Sequence, residues 1–152
     1  TTNTATPTTT QEPVADQTFG KHRTRSTASQ GQAAADFART QIGKKYVWGG
    51  NGPDAWDCSG LANAAWRYAG LSIPRSSRTI YPAVSHVSYS DLRPGDMLFW
   101  GYGADPSRMY HVAVYVGNNK TVEGAGVGNG VIIRDWRNTR ARADMMPYVG
   151  RP

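Results

Sequence analysis

From Ala33 onward the apolar positions fall into patterns that assign elements one after another. In "AAADFARTQIG" the residues Ala34, Phe37, Ala38 and Ile42 recur at helical spacing, and Gly43 supplies a stop. A second helix is predicted over "CSGLANAAWRYA", with Leu61, Ala62, Ala65, Trp66 and Ala69 on one side and Gly70 as terminator. The Pro94-Gly95 turn precedes a continuous apolar run from Met97 to Trp100, which reads as a buried strand. Strict alternation follows in "HVAVYVG": His111, Ala113 and Tyr115 share one face, and Val112, Val114 and Val116 the other. "GNNK" is turn chemistry, and "TVEGAG" and "GVIIRDW" are two further strands. Helices first and then an antiparallel meander make an α+β domain, with N-terminal helices packed on a small antiparallel sheet.

Residues 1–31 lack any such pattern. They are rich in Thr, Ser, Pro and Gln, and Phe19 is their only aromatic residue. A segment of that kind buries too little apolar surface to offset its ordering entropy. It is therefore expected to be a flexible extension or linker, with the domain proper over 32–152. Its expected role is a tether, with Phe19 as a weak anchor should the segment lie against the domain.

The 152 residues suffice for one domain with a real core. No run approaches the roughly 18 apolar residues of a membrane span. The formal charge of +6 favours polyanionic surroundings, whether nucleic acid, anionic lipid or an acidic bacterial wall. The basic residues are scattered. Their densest stretch, Arg134 to Arg151, has five arginines against two aspartates and reads as a solvated face. With no stacking-aromatic motif or basic helix, nucleic acid is not an expected partner.

One cysteine in the whole chain excludes an internal disulfide and a zinc site built on cysteine pairs. Cys58 stands where the second helix begins, behind Asp57 as N-cap and ahead of the small Ser59 and Gly60. Unpaired N–H groups and the helix dipole at such a point favour a thiolate and could stabilise an adjacent oxyanion. The thiol then needs a base. His22 lies in the low-complexity extension, and His86 sits between elements and reads as a surface residue. His111 opens the most apolar strand and is the candidate base. Glu123, the only acidic residue in its strand, is the candidate to orient the imidazole. The two lie twelve positions apart, so they share a sheet face only if the intervening hairpin has an odd-numbered or bulged loop. Cys–His chemistry runs through a thioester whether the acceptor is water or an amine, so hydrolase, amidase and acyltransferase readings stay open at this point.

"YVWGGNGPDAWDCSG", followed by "LRPGDMLFW", "HVAVYVGNNK" and "VEGA", resembles the NlpC-type cell-wall cysteine peptidases with their papain-like core. The resemblance covers roughly 33–152. It implies that Cys58 is the nucleophile, His111 the general base and Glu123 the third polar residue, a place often held by a second histidine. It further implies that Tyr46, Asp57 and Ser59 serve substrate or oxyanion binding. The implied activity is cleavage of peptidoglycan stem peptides, typically between the side-chain carboxyl of D-glutamate and meso-diaminopimelate. No cofactor or metal is expected. The expected partner is bacterial peptidoglycan, the expected state a monomer, and the expected location secreted or in the bacterial cell wall after removal of a signal peptide. An amidase or acyltransferase on another substrate, or an inactive wall-binding module, are the alternatives. No wall-binding repeat is visible in the chain.

Overall fold

The structure is a computed structural model that describes residues 24–138 and 141–152. The expectations placed on Phe19 and His22 lie outside the described residues. Helix α1 runs from Ala28 to Thr40, so it starts ahead of the boundary expected at residue 32. The cause is a capping box that composition conceals. Thr27 accepts from the N–H of Gln30 while the Gln30 side chain accepts from the N–H of Thr27. Residues just before it also belong to the fold. Ser26 N–H donates to the Pro152 carbonyl at 2.9 Å, and the hydroxyls of Thr24 and Ser85 lie 2.6 Å apart.

A short parallel pair, β1 (Lys45–Tyr46) and β2 (Ala55–Trp56), brackets the Gly-rich loop. It delivers the chain to helix α2 (Cys58–Tyr68), which Asp57 caps by accepting from the N–H of Gly60 at 2.6 Å. Such a cap contributes about 0.5–2 kcal/mol and, more to the point, fixes where the helix starts. Helix α3 (Ser77–Ala83) starts from its own capping box, which pairs Ser76 with Thr79.

The six-stranded sheet has the order β3-β8-β4-β5-β6-β7, all neighbours antiparallel. Four of its strands are those expected: β4 (Met97–Gly101), β5 (Met109–Gly117), β6 (Lys120–Gly124) and β7 (Val131–Asp135). The edge pair β3 (Ser85–Val87) and β8 (Val149–Arg151) was not anticipated. Three residues are too few to display a period of two.

Alternation along β5 sorts the core into two layers. Val112, Val114 and Val116 join Leu61, Ala65 and Trp66 beneath the helices. Ala113 and Tyr115 join Leu98, Trp100, Val87 and Val149 on the opposite face, covered by Tyr89, Leu92 and Trp136. Each fully buried Leu, Val or Phe stabilises by about 1.5–3 kcal/mol, so the sheet is held from both sides. No helix among the described residues is long and apolar enough to cross a membrane.

Candidate active site

Helix α2 begins against the end of strand β6. A Cβ on Gly124 would lie 3.0 Å from the Asp57 carbonyl carbon and 3.2 Å from the Cys58 nitrogen, so any side chain here would press on the backbone at the helix start. The contact brings the partly buried Cys58 beside the strands that carry His111 and Glu123. At the helix end, the N–H of Gly60 goes to the Asp57 side chain and that of Leu61 to the Asp57 carbonyl. The N–H groups of Cys58 and Ser59 are the donors left at that end for developing negative charge.

His111 and Glu123 share a face because the hairpin between them is bulged. Asn118 and Asn119, at φ 51° and 60°, form a tight turn that pairs Gly117 with Lys120. Carried down the strands unchanged, that register would set Glu123 opposite Val114, on the helix side. The register instead slips between Gly117 and Tyr115, after which Tyr115 faces Thr121 and Val114 faces Val122. One extra residue, Val116, thus turns Glu123 to the face of His111 and Ala113. The condition set by the sequence is met by a bulge.

His111 Nε2 lies 2.5 Å from Glu123 Oε1, and Trp100, its partner across β4, packs its ring 5.2 Å away. With Nε2 taken, Nδ1 is the ring nitrogen left for Cys58. Burial pulls the His111 pKa down, but hydrogen bonds and charge from Cys58 and Glu123 outweigh it and bring the value up to about 9. The imidazole is therefore a cation at neutral pH, and a cation beside the sulfur favours the thiolate.

Glu123 is 1% exposed and fully engaged. Besides His111 it accepts from Arg134 Nε at 2.9 Å, Arg134 Nη2 at 2.8 Å and Thr121 Oγ1 at 3.3 Å. Burial raises its pKa, yet the hydrogen bonds from Arg134 and His111 prevail and lower it to about 2. Arg134 corrects the expectation of a solvated face. Strand β7 pairs Thr121 with Arg134, which places the guanidinium diagonally beside Glu123. Arg151, from the same basic stretch, is buried on Asp96 at 2.8 Å. Two arginines read as a solvated face are thus committed to carboxylates. The strand alternation of "VIIRD" was the available signal for Arg134.

Tyr46, at the end of β1, lines the cleft of about 320 Å³ with Cys58, Tyr110, His111, Glu123 and Arg134. Burial, then the charges of Cys58 and Asp57, raise its pKa, so its hydroxyl remains a proton donor at neutral pH. Asp57 and Ser59 are not among the cleft-lining residues. Their side chains meet Arg75, whose Nη2 reaches Asp57 Oδ2 at 2.9 Å and whose Nη1 donates to Ser59 Oγ at 2.7 Å. Through these contacts the two side chains fasten the helix start that presents Cys58. Arg75 gave no signal in its loop, "LSIPRSSR". His86, expected at the surface, is half-buried. It stacks on Tyr81 at 4.1 Å between ring centroids, with Nε2 2.7 Å from the Tyr81 carbonyl.

A helix-end thiol, a strand imidazole and a buried carboxylate, on a papain-like α+β scaffold, are the parts of a thiol-dependent acyl-transfer centre. Comparison with known proteins agrees with that class. A sequence profile of the NlpC/P60 family matches residues 43–149, and the chain belongs to that family. It is 42% identical over 85 residues to a probable endopeptidase p60 of Listeria monocytogenes, covering 56% of this chain and 17% of that protein. It is 44% identical over 95 residues to a probable endopeptidase of Corynebacterium glutamicum, covering 62% and 43%. The chain thus spans less than half the length of these relatives. Among solved structures, the peptidoglycan hydrolase RipB of Mycobacterium tuberculosis superposes with a TM-score of 0.68 at 32% identity, over 84% of this chain and 67% of that one. NlpC2 of Trichomonas vaginalis gives 0.73 at 27%, over 83% and 47%.

Proposed function

We propose that this domain is a peptidoglycan endopeptidase that cuts stem peptides, at the bond between the side-chain carboxyl of D-glutamate and meso-diaminopimelate. The observation that carries the reading is the continuous line from Cys58 through His111 to the buried Glu123. The family membership and the likeness to the peptidoglycan hydrolase RipB support the substrate class.

In this mechanism the Cys58 thiolate attacks the scissile carbonyl carbon, forming the C–S bond as the carbonyl π pair moves onto oxygen. The oxyanion is met by the Cys58 N–H and the Tyr46 hydroxyl. His111 gives its proton to the leaving amine as the C–N bond breaks, leaving a thioester on Cys58. The now neutral imidazole takes a proton from water, which attacks the thioester and releases the carboxylic acid and the thiolate. Glu123 holds the ring in position throughout and is not itself protonated. No step calls for a metal, and no cluster of three or more His, Cys, Asp or Glu residues that could hold one occurs among the described residues.

The test is incubation with purified disaccharide-peptides and mass spectrometry of the products. The expected pair ends in D-glutamate on one side and starts with diaminopimelate on the other, with masses summing to substrate plus one water. A product joined to an added amine would identify an acyltransferase instead. Unchanged substrate alongside retained binding to sacculi would identify a wall-binding module.

A further inference from the structure

Glu123 has one partner too many for a simple orienting residue. A carboxylate that only steers a histidine needs one good contact, and here the same Oε1 that meets His111 also accepts from Arg134. The guanidinium engages side-on, with Nε on Oε2 and Nη2 on Oε1, which fixes both the position and the plane of the carboxylate. Thr121 Oγ1, on the strand that carries Glu123, adds a fourth contact. Arg134 itself stands on the neighbouring strand, half-exposed and lining the same cleft as Cys58.

We propose that Arg134 is a positioning residue of the catalytic centre, extending the line Cys58–His111–Glu123 by a fourth member that sets the carboxylate's plane and keeps it charged. Two physical effects are involved. Unaided, a buried carboxylate resists ionisation, and the cation opposes that resistance. The paired donors also hinder rotation of the carboxylate, so that Oε1 stays on His111 Nε2 while the ring shifts its proton between Cys58 and the leaving amine. In the lowered Glu123 pKa, burial is opposed first by the Arg134 hydrogen bond, then by that of His111, and then by the charges of His111 and Arg134 in that order, so the paired contact of Arg134 acts more strongly than its charge alone. The titratable groups around this centre are His111 and Tyr110 from β5, Arg134 from β7, and Cys58 and Tyr46, which line the same cleft. Of these only Arg134 is a permanent cation, so Glu123 draws its pH-independent charge partner from it alone.

The inference rests on the reading of Cys58 as the nucleophile, and its test uses two readouts, one of which needs no substrate. The first is the rate at which an uncharged haloacetamide alkylates native Cys58 as a function of pH, in wild type, Arg134→Gln and Arg134→Lys. The second is kcat and KM on muropeptide, scaled to the titratable thiol so that unfolded material does not count. Arg134→Gln is expected to move the acid limb of the alkylation profile to higher pH, since a cation near the thiol is lost. It should lower kcat on the order of 10-fold with KM little changed, a fraction of the ~10²–10⁴ that general acid–base catalysis contributes in full. Arg134→Lys restores charge without the paired geometry. Its acid limb should return toward wild type while kcat recovers only in part.

A wild-type profile and wild-type kcat in folded Arg134→Gln would overturn the proposal and leave a merely structural ion pair. Should that variant fail to melt cooperatively, Arg134→Lys decides: a lowered kcat at unchanged KM supports the proposal, and an unchanged kcat overturns it. If wild type alkylates as described but cleaves no muropeptide, the substrate reading fails while the role of Arg134 is still decided by the alkylation profiles.

Discussion

At the scale of single residues, the site is a chain of charges in which each member fixes the next. Glu123 cannot be replaced by an uncharged group without consequence, because it is the acceptor for His111, Arg134 and Thr121 together. Glu123→Gln keeps a hydrogen bond to the ring but removes the charge that favours imidazolium. A partial loss of kcat is expected, smaller than that of His111→Ala, which removes the proton carrier. Equal rates for Glu123→Ala and wild type would remove Glu123 from the mechanism. The pH dependence has a definite sign. His111 is raised from 6.5 to about 9, so the charged pair's contribution to stability and to the ready state is complete below about 6.5 and is lost as pH rises through about 9. Glu123 is lowered from 4.5 to about 2, so its contribution is present above about 4.5 and is lost as pH falls toward 2. The expected kcat/KM profile therefore keeps its plateau through neutrality and declines near pH 9. A decline centred near 6.5 would contradict the His111–Glu123 coupling.

At the scale of elements, the arrangement depends on one bulge and one helix end. Deleting Val116 removes the slip between Gly117 and Tyr115 but keeps Tyr115 opposite Thr121 and Val114 opposite Val122, so Glu123 stays on the face of His111. Val116 is the extra residue that lets the two-residue turn close onto that ladder. The deletion variant is expected to be destabilised, since a buried valine is lost, while kcat per folded molecule stays near wild type. A folded deletion variant whose kcat falls by ~10²-fold or more, the loss expected of a misplaced acid–base group, would disprove the register argument. This is also where the sequence was legible and where it was not. Alternation in "HVAVYVG" placed His111 and gave the parity condition for Glu123, but whether a bulge met it depended on pairing with β6. The first helix was visible from its apolar stripe, while its true start lay in the polar "TASQ", where only the Thr27–Gln30 capping geometry marks it. Ion pairs between elements left no sign of their partners in the local sequence. Arg75 on Asp57 and Arg134 on Glu123 join residues 18 and 11 positions apart, and a periodicity reading treats each arginine as solvated.

At the scale of the molecule, the fold is closed by an ion pair far from the cleft. Arg151, on strand β8 between β3 and β4, donates to both oxygens of Asp96 at 2.8 Å, with both residues almost fully buried. The same guanidinium reaches the Asp91 carbonyl. Removing one partner leaves the other charge buried, which costs about 3–5 kcal/mol. Arg151→Met is accordingly expected to lower the melting temperature sharply while kcat per folded molecule stays near wild type. A melt within the error of wild type would show that the pair contributes nothing net.

The central claim is that one thiol, presented by the start of α2, carries the chemistry. The most direct test is turnover of a muropeptide by Cys58→Ala set beside wild type, with thermal melts of both. The group is small and partly exposed, so the melt should be nearly unchanged, while product formation should fall below detection. A Cys58→Ala protein that folds and still releases the same products at a comparable rate would contradict the account.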